Sequence, residues 1–468
     1  MPPAVENARA AKGAAAGQAA PQAAGRIRLP AKLRNLELLL LLVACLINAS
    51  AILLVQLGAL KRVDFSLLYF GVALSVLVIG LHITMRIVAP NADPFILPIA
   101  TVLNGLGIAE IYRIDLELHK SGWDSASVKQ IAWTAIAIAI AIAVILIVRN
   151  HRFLQRYTYL FGLGAVILLL LPMIPGLGVT VYGARIWIAL GPFSFQPGEI
   201  AKLALAVFFA GYLVQHRDSL SMVGRKVLGM RFPRWRDLGP ILVLWAISMA
   251  VIVFQRDLGT GLLYFGLFLV MIYVATSRLS WVLLGLTLFV GGALIASQVL
   301  AYVGDRFQNW LDPFSQQVYN ARGGSFQLVQ GLFGIAYGGI IGTGLGEGRP
   351  ATTPVAQSDY IVASLGEELG LAGLFAIFAL YLLFVSRGLR IGFAGQDDFG
   401  KLLAVGLAFT LALQCFIVVG GITRVIPLTG LTTPFLAAGG SSLVANWIIV
   451  ALLLRLSDTV RSQPRMVI

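Results

Sequence analysis

Stretches of about 20 apolar residues recur along this chain, near 36–60, 66–88, 95–112, 129–148, 157–174, 199–215, 239–255, 258–277, 280–302, 360–386, 401–422 and 434–456. Such a run matches the hydrocarbon thickness of a bilayer, where every backbone N–H and C=O must find a partner within the protein. Helices meet that demand segment by segment. The expected fold is therefore an all-α polytopic membrane protein of about 12 transmembrane helices. The runs at 95–112 and 239–255 are short or interrupted, so about ten or eleven crossings are the alternatives. Only 12% of residues are charged and 58% are hydrophobic, against about 25% charged in a soluble domain.

The formal net charge of +14 is topological and implies no nucleic-acid partner. An even number of crossings puts both termini on one side, and the positive-inside rule makes that side cytoplasmic. The basic stretches RNHRFLQR (149–156), QHRDSLSMVGRKVLGMRFPRWRD (215–237) and SRGLRIGF (386–393), with Arg461 and Arg465, then all face the cytoplasm. Residues 1–35, rich in Ala with Pro, Gly, Lys and Arg, read as a disordered basic cytoplasmic tail. Residues 457–468 read as a cytoplasmic C-terminal tail. Cys45 and Cys415 sit inside apolar runs as small core residues, and His82, His119, His151 and His216 show no metal-ligand spacing.

Two long segments, about 175–198 and 303–358, lie on the opposite, extracytoplasmic side. Long loops in a compact membrane protein usually carry function. The first reads VTVYGARIWIALGPFSFQPGEIAKLALA. Trp187 and Phe193 suit an interface, whereas Arg185, Glu199 and Lys202 are charges at a helix mouth. Glu199 and Lys202 are three residues apart on one helical face and can pair. With Arg185 they could also bind a phosphate. In VFQRDLGTGLL, Asp257 is either the cap of the next helix or part of a discontinuous segment beside a cavity.

The second segment is glycine-rich and predicts a re-entrant or membrane-surface helix near 325–337, followed by a glycine-rich turn lying on the protein. Its GTGLGEG has no preceding strand and is not a dinucleotide fingerprint. The segment leads into SDYIVASLGEELGLAG (358–373). With Ser358 or Asp359 as cap, Glu367 falls about 80° around and about 12 Å along the helix, and Glu368 about 180° around. Asp359, at the mouth, is the catalytic candidate. Glu367 and Glu368 lie deeper and are expected to pair with arginine or backbone groups, with Gly366 and Gly370 allowing close helix approach. In GGITRVIPLTGLTTPFLAAGGSSLVANW, Arg424 and Thr432 stand where they could touch a ligand.

Taken together, FQPGEIAKL, QRDLGTGLL, SDYIVASLGEELGLAG and PLTGLTTPFLAAGGSS resemble, in order and spacing, the SEDS (shape, elongation, division and sporulation) family, over about residues 95–456. The residues of GKLLAVGLAFTLALQCFIVVGGITRVIPLTGLTTPF look most like its actinobacterial elongation members. The resemblance implies a ten-helix glycosyltransferase core, to which the crossings within 36–90 would be an added N-terminal pair. It also implies an enzyme of cell elongation and shape in the bacterial plasma membrane. That enzyme polymerises peptidoglycan glycan from undecaprenyl-diphosphate-linked lipid II with inversion, forming β-1,4 linkages.

By the same resemblance Asp359 is the catalytic aspartate of the motif before GEELG, acting as a base or holding a divalent cation, Mg²⁺ or Mn²⁺. Arg185, Trp187, Glu199, Lys202, Asp257 and Arg424 would bind substrate, with Arg185 and Lys202 facing the leaving diphosphate. Trp187 matches the family's arginine–tryptophan pair only across the intervening Ile186. The implied partners are lipid II, a class B penicillin-binding transpeptidase and other elongation or division machinery. Gly198, Arg256, Gly331, Ala437 and Ala438 depart from the family's usual residues. The alternative reading is a lipid II flippase or other polytopic transporter, whose site would lie near the midplane between internal repeats.

Overall fold

The computed structural model describes residues 29–181, 183–190, 193–221, 226–227, 230–231, 246–247 and 250–462. Of the tail expected at 1–35, residues 1–28 lie outside the described residues whereas 29–35 are helical. Of the tail expected at 457–468, residues 457–462 are helical and 463–468 lie outside. Most of the basic loop at 215–237 and most of the run at 239–255 also lie outside the described residues. Nine described helices are long and apolar enough to cross a membrane. The principal helices are α1 (Leu29–Leu60), α2 (Phe65–Val88), α3 (Ile96–Glu117), α4 (Ala126–Ile147), α5 (Thr158–Leu170), α6 (Pro197–Ser221) and α7 (Leu258–Thr276). They continue with α8 (Leu279–Val299), α9 (Ala301–Leu311), α10 (Phe326–Gly338), α11 (Ile361–Ala394), α12 (Asp398–Ile422) and α13 (Gly440–Ser462). Two expected crossings fall outside the nine for physical reasons. Helix α3 is long enough but carries Glu110, Arg113, Asp115 and Glu117, and α5 is short, running on through a 3₁₀ turn to Met173.

The first long segment, at about 175–198, folds as a three-stranded antiparallel sheet rather than as an irregular loop. Its strands are β1 (Gly178–Val181), β2 (Ala184–Leu190) and β3 (Phe193–Phe195). Gly178 pairs with Ile188, and Ile188 with Phe195. The β-branched and aromatic residues of VTV and RIWIAL favour extended backbone, and Gly183, at φ +82°, makes the turn between β1 and β2. In the second segment, α10 stands at the position expected for 325–337. Before it, α9 is amphipathic, with Val303, Phe307 and Trp310 on one side and Asp305 and Gln308 on another.

Helix α11 breaks at Gly370, where φ is +67° and ψ −175°. A break at membrane depth frees backbone groups that must be satisfied by other protein. The glycine-rich turn after α10 does this. Leu371 N–H donates to Gly339 O at 3.0 Å and Ala372 N–H to Ile340 O at 3.0 Å. Thr343 N–H donates to Glu367 O at 3.0 Å and Gly344 N–H to Glu368 O at 2.9 Å. A Cβ at Gly370 would lie 2.3 Å from Gly342 N. The close approach expected of Gly370 is thus backbone against backbone.

Helices α1 and α2 are joined through a buried ionic chain. Arg34 Nη1 meets Glu37 Oε2 at 2.6 Å, and Glu37 Oε1 meets His82 Nδ1 at 2.7 Å. Arg34 also donates to Ala92 O, next to the start of α3. Removing one partner of such a chain leaves an uncompensated buried charge at a cost of about 3–5 kcal/mol. Glu37→Ala should therefore lower the melting temperature of the purified protein sharply. Glu37→Gln, which keeps the hydrogen-bonding shape, should recover part of that loss.

Candidate active site

Asp359 sits two residues before α11, half-buried at the helix mouth. The N-cap itself is Tyr360, which makes no side-chain cap. This corrects the expectation that Ser358 or Asp359 caps the helix, and it leaves the Asp359 carboxylate free of a structural duty there. The strongest influence on Asp359 is burial, which raises its pKa above the ordinary carboxylate range. The Arg306 guanidinium and the Ser358 side chain pull the other way, and Asp257 adds to the rise. Gly430, at φ +79°, completes the wall, since a Cβ there would come within 3.7 Å of Asp359 Oδ2.

Asp257 caps α7 as its spacing allowed. It accepts from Thr260 N–H at 2.9 Å and from the Thr260 hydroxyl. Its pKa is raised mainly by burial, against those hydrogen bonds, with the nearby Glu199 raising it further and Arg306 lowering it. The field of one guanidinium, Arg306, thus acts on both Asp257 and Asp359. That arginine was not singled out from the sequence. It lies on α9, just beyond an apolar run, and only the fold carries it to Asp359. Its Nη1 donates to Leu428 O at 3.0 Å.

Arg424 explains how α9 is held. Its Nε donates to Trp310 O at 2.7 Å and its Nη2 to Leu311 O at 2.8 Å, while Trp310 Nε1 donates back to Arg424 O at 3.0 Å. Arg424 therefore clamps the C-terminal end of the helix that carries Arg306. Three of its groups are committed to that clamp, which favours positioning over the substrate contact expected for it.

Glu199 and Lys202 pair as their spacing predicted, with Nζ–Oε2 at 2.5 Å. Lys202 is only 1% exposed and also donates to Gln414 Oε1 at 2.9 Å and Asn446 Oδ1 at 3.4 Å. Gln414 Nε2 in turn donates to Thr432 O at 2.9 Å, and Thr432 Oγ1 to Ser442 Oγ at 3.0 Å. The pair therefore supports the 431–434 loop beside Gly430. An ammonium so enclosed is not presented to a diphosphate, in contrast to the expectation for Lys202. Lys202→Met should lower melting temperature and turnover together. The exchange Glu199→Lys with Lys202→Glu should restore much of both, checked by measuring the two quantities on the same preparations.

Arg185 lies half-buried on β2 and donates from Nη2 to Ile174 O at 3.2 Å, leaving its buried Nε unpartnered. Trp187 stands opposite Val179 in the sheet. The sheet is fastened to the core next door by Gln196 N–H, which donates to Ser441 Oγ at 2.7 Å. Glu368 pairs with Arg113, at 3.0 Å from Nε, and accepts from Gly346 N–H at 2.9 Å. Glu367 accepts from Arg349 N–H at 2.7 Å. Both meet the arginine or backbone partners expected of them. Glu110, fully buried beside Glu368, was also missed, being hidden in an apolar run.

Two of the unusual residues have local causes. A side chain at Gly198 would press on Tyr264, whose hydroxyl lies 3.2 Å from the Cβ position and donates to Gly198 O at 2.8 Å. A Cβ at Gly331 would lie 2.7 Å from the ring of Tyr360, the residue after Asp359.

A family model described as "Cell cycle protein" and covering FtsW, RodA and SpoVE matches residues 95–462. The chain belongs to the FtsW/RodA/SpoVE family. That is the SEDS family indicated by its motifs, and α1 and α2 lie outside the matched region. The peptidoglycan glycosyltransferase RodA of Mycobacterium tuberculosis is 46% identical over 92% of this chain and 93% of its own length. Its counterpart in Mycobacterium leprae is 45% identical over 92% of this chain and 91% of its own length. Stage V sporulation protein E of Bacillus subtilis is 36% identical over 62% of this chain and 76% of its own length. The likeness to actinobacterial RodA thus extends over nearly the whole chain.

Among solved structures, one described as "Structural coordination of polymerization and crosslinking by a peptidoglycan synthase complex" superposes with a TM-score of 0.60 at 24% identity. It covers 80% of this chain and 99% of the other. A mutant of the Thermus thermophilus rod shape determining protein RodA gives a TM-score of 0.54 at 22% identity, with the same coverage. These two likenesses establish the fold.

Proposed function

We propose that this chain is a peptidoglycan glycosyltransferase of cell elongation, polymerising the disaccharide of lipid II at the outer face of the plasma membrane. The observation that carries the reading is Asp359. It is a half-buried carboxylate at a helix mouth, free of capping duty, with Arg306 beside it and Asp257 close by. The relatives named peptidoglycan glycosyltransferase supply the reaction class.

In this reading Asp359 accepts the proton of the attacking sugar hydroxyl as its oxygen bonds to the anomeric carbon. The bond from that carbon to the diphosphate breaks on the opposite face, giving inversion and a β-1,4 linkage. A general base works best with a pKa near the operating pH, and burial moves Asp359 in that direction. Arg306 is placed to stabilise charge gathering on the leaving diphosphate, and Arg185, with an unpartnered Nε, is the second cation available.

Among the described residues no three His, Cys, Asp or Glu side chains gather as a metal site. Mg²⁺ commonly takes one or two carboxylates with substrate phosphates and water, so Asp359 is the residue that would hold a divalent cation, Mg²⁺ or Mn²⁺. Such a cation would supply neutralisation of phosphate charge.

The positive-inside pattern supports cytoplasmic termini and, with them, an outer-face position for Asp359. The solved complex that couples polymerisation to crosslinking supports a penicillin-binding transpeptidase as partner. Purified protein in liposomes, given lipid II and resolved on a gel, should produce a ladder of glycan strands. Movement of lipid II across the bilayer without a ladder would favour the flippase reading instead.

A further inference from the structure

A cavity of about 110 Å³ lies where α1 and α2 meet α3, α4 and α13. Much of its wall belongs to α1 and α2, which precede the family match at residue 95. Ile52, Val78, Ile108 and Ile138 make the wall largely apolar. Val72, 57% exposed, stands at the rim, so the cavity opens between helices toward lipid. Three side chains of the wall each carry a buried polar atom with no partner among the described residues: Asn48 Oδ1, Asn104 Oδ1 and Trp447 Nε1. Asn104 is 4% exposed and Trp447 0%. Buried polar atoms are nearly always hydrogen-bonded, so three around one cavity need a cause.

Both amides are fixed in orientation. Asn48 Nδ2 donates to Thr101 O at 2.9 Å, and a carbonyl can only accept. Asn104 Nδ2 donates to Thr134 Oγ1 at 3.3 Å, because that hydroxyl gives its own hydrogen to Gln130 O at 2.8 Å. Gly105 makes room for the Asn48 amide, since a Cβ there would lie 2.0 Å from Asn48 Cγ. The Thr101 and Ser75 hydroxyls are likewise taken, by Leu97 O and Gly71 O. The wall therefore offers two amide acceptors and one indole donor. Thr134 lies about 12 Å along α4 from Ala126 and Ser75 about 15 Å along α2 from Phe65. That is the depth of lipid chains, half of a hydrocarbon layer about 30 Å thick, and not of headgroups.

A partner helix, about 10–12 Å across, is too wide for this space. We infer that the cavity binds a fatty acyl chain bearing a mid-chain hydroxyl. The hydroxyl donates to Asn104 Oδ1, the more buried of the two acceptors, and accepts from the Trp447 N–H. The hydrocarbon on either side lies against Ile52, Val78 and Ile138, and the bound chain ties α1 and α2 to the core. The site shares no lining residue with the groups around Asp359 and does not depend on the glycosyl-transfer reading.

The test places the full-length protein in nanodiscs of phosphatidylglycerol and offers 10-hydroxystearic, 10-oxostearic or stearic acid, with retention scored by native mass spectrometry. The hydroxy acid should be retained about tenfold better than either of the others, the size of one net hydrogen bond. The keto acid separates the two roles, because it can accept from Trp447 but cannot donate to asparagine. Asn104→Leu removes the acceptor at similar volume and should erase most of the preference. Trp447→Phe should reduce it too, and decides the matter if the leucine variant folds poorly. Equal retention of the three acids, a keto acid held as well as the hydroxy acid, or an unchanged preference in the well-folded variants would overturn the inference.

Discussion

Asp359→Asn is expected to reduce polymerisation by about 10³-fold, within the range that a positioned general base contributes. Asparagine has nearly the same shape and can still accept a hydrogen bond from Ser358, so folding should be unaffected. The direction of the stability effect follows from burial. Burial raises the Asp359 pKa, so the folded state favours the protonated form, and stability from this group declines as pH rises above the ordinary aspartate value. At neutral pH the asparagine variant should therefore melt at the same temperature as wild type or slightly higher. In wild type, turnover should fall on the acid side at a pH above the ordinary aspartate range. A well-folded Asp359→Asn protein with normal turnover would remove Asp359 from the chemistry.

Arg306→Gln should lower turnover by about 10²–10³-fold, the size found for removing one group aimed at developing negative charge. It should also shift the pH profile. Arg306 holds the Asp359 pKa down against burial, so its loss should move the acid limb of the rate profile to higher pH. Arg306→Lys should restore the limb more fully than the rate, because a point charge keeps the field but not the two-pronged contact with phosphate. Arg424→Gln, which loosens the clamp on α9, should shift both quantities in the same direction by less. If Arg306→Gln lost activity with the limb unmoved, its role would be confined to holding the Leu428 loop.

Much of this arrangement was legible in the chain because it is local. The Glu199–Lys202 pair follows from three-residue spacing, the Asp257 cap from its place before a helix, and α10 from an apolar stretch bounded by glycine. Asp359 was legible because a carboxylate at the edge of an apolar run is costly without a task. What was not legible depends on contacts between distant segments. The Arg306 charge acts on Asp359 because α9 is held across the mouth through Arg424 and Leu428. Spacing allowed Lys202 to pair or to bind phosphate, and Gln414 and Asn446, from two other helices, decide for enclosure. The break in α11 is stable only with the glycine turn packed into it, so Gly370 alone could be read merely as a site of close approach. The sheet at 178–195 was obscured by glycine and aromatic residues that read equally well as an interface loop.

In the proposed reaction the Asp359 cluster forms a glycosidic bond at the expense of a lipid diphosphate. Its most direct test is stoichiometry, with purified protein in liposomes supplied with doubly labelled lipid II. One polyprenyl diphosphate should be released for each new β-configured linkage, with both products lost together in Asp359→Asn. Release of polyprenyl diphosphate without linkage, or substrate crossing the bilayer with neither product formed, would contradict it.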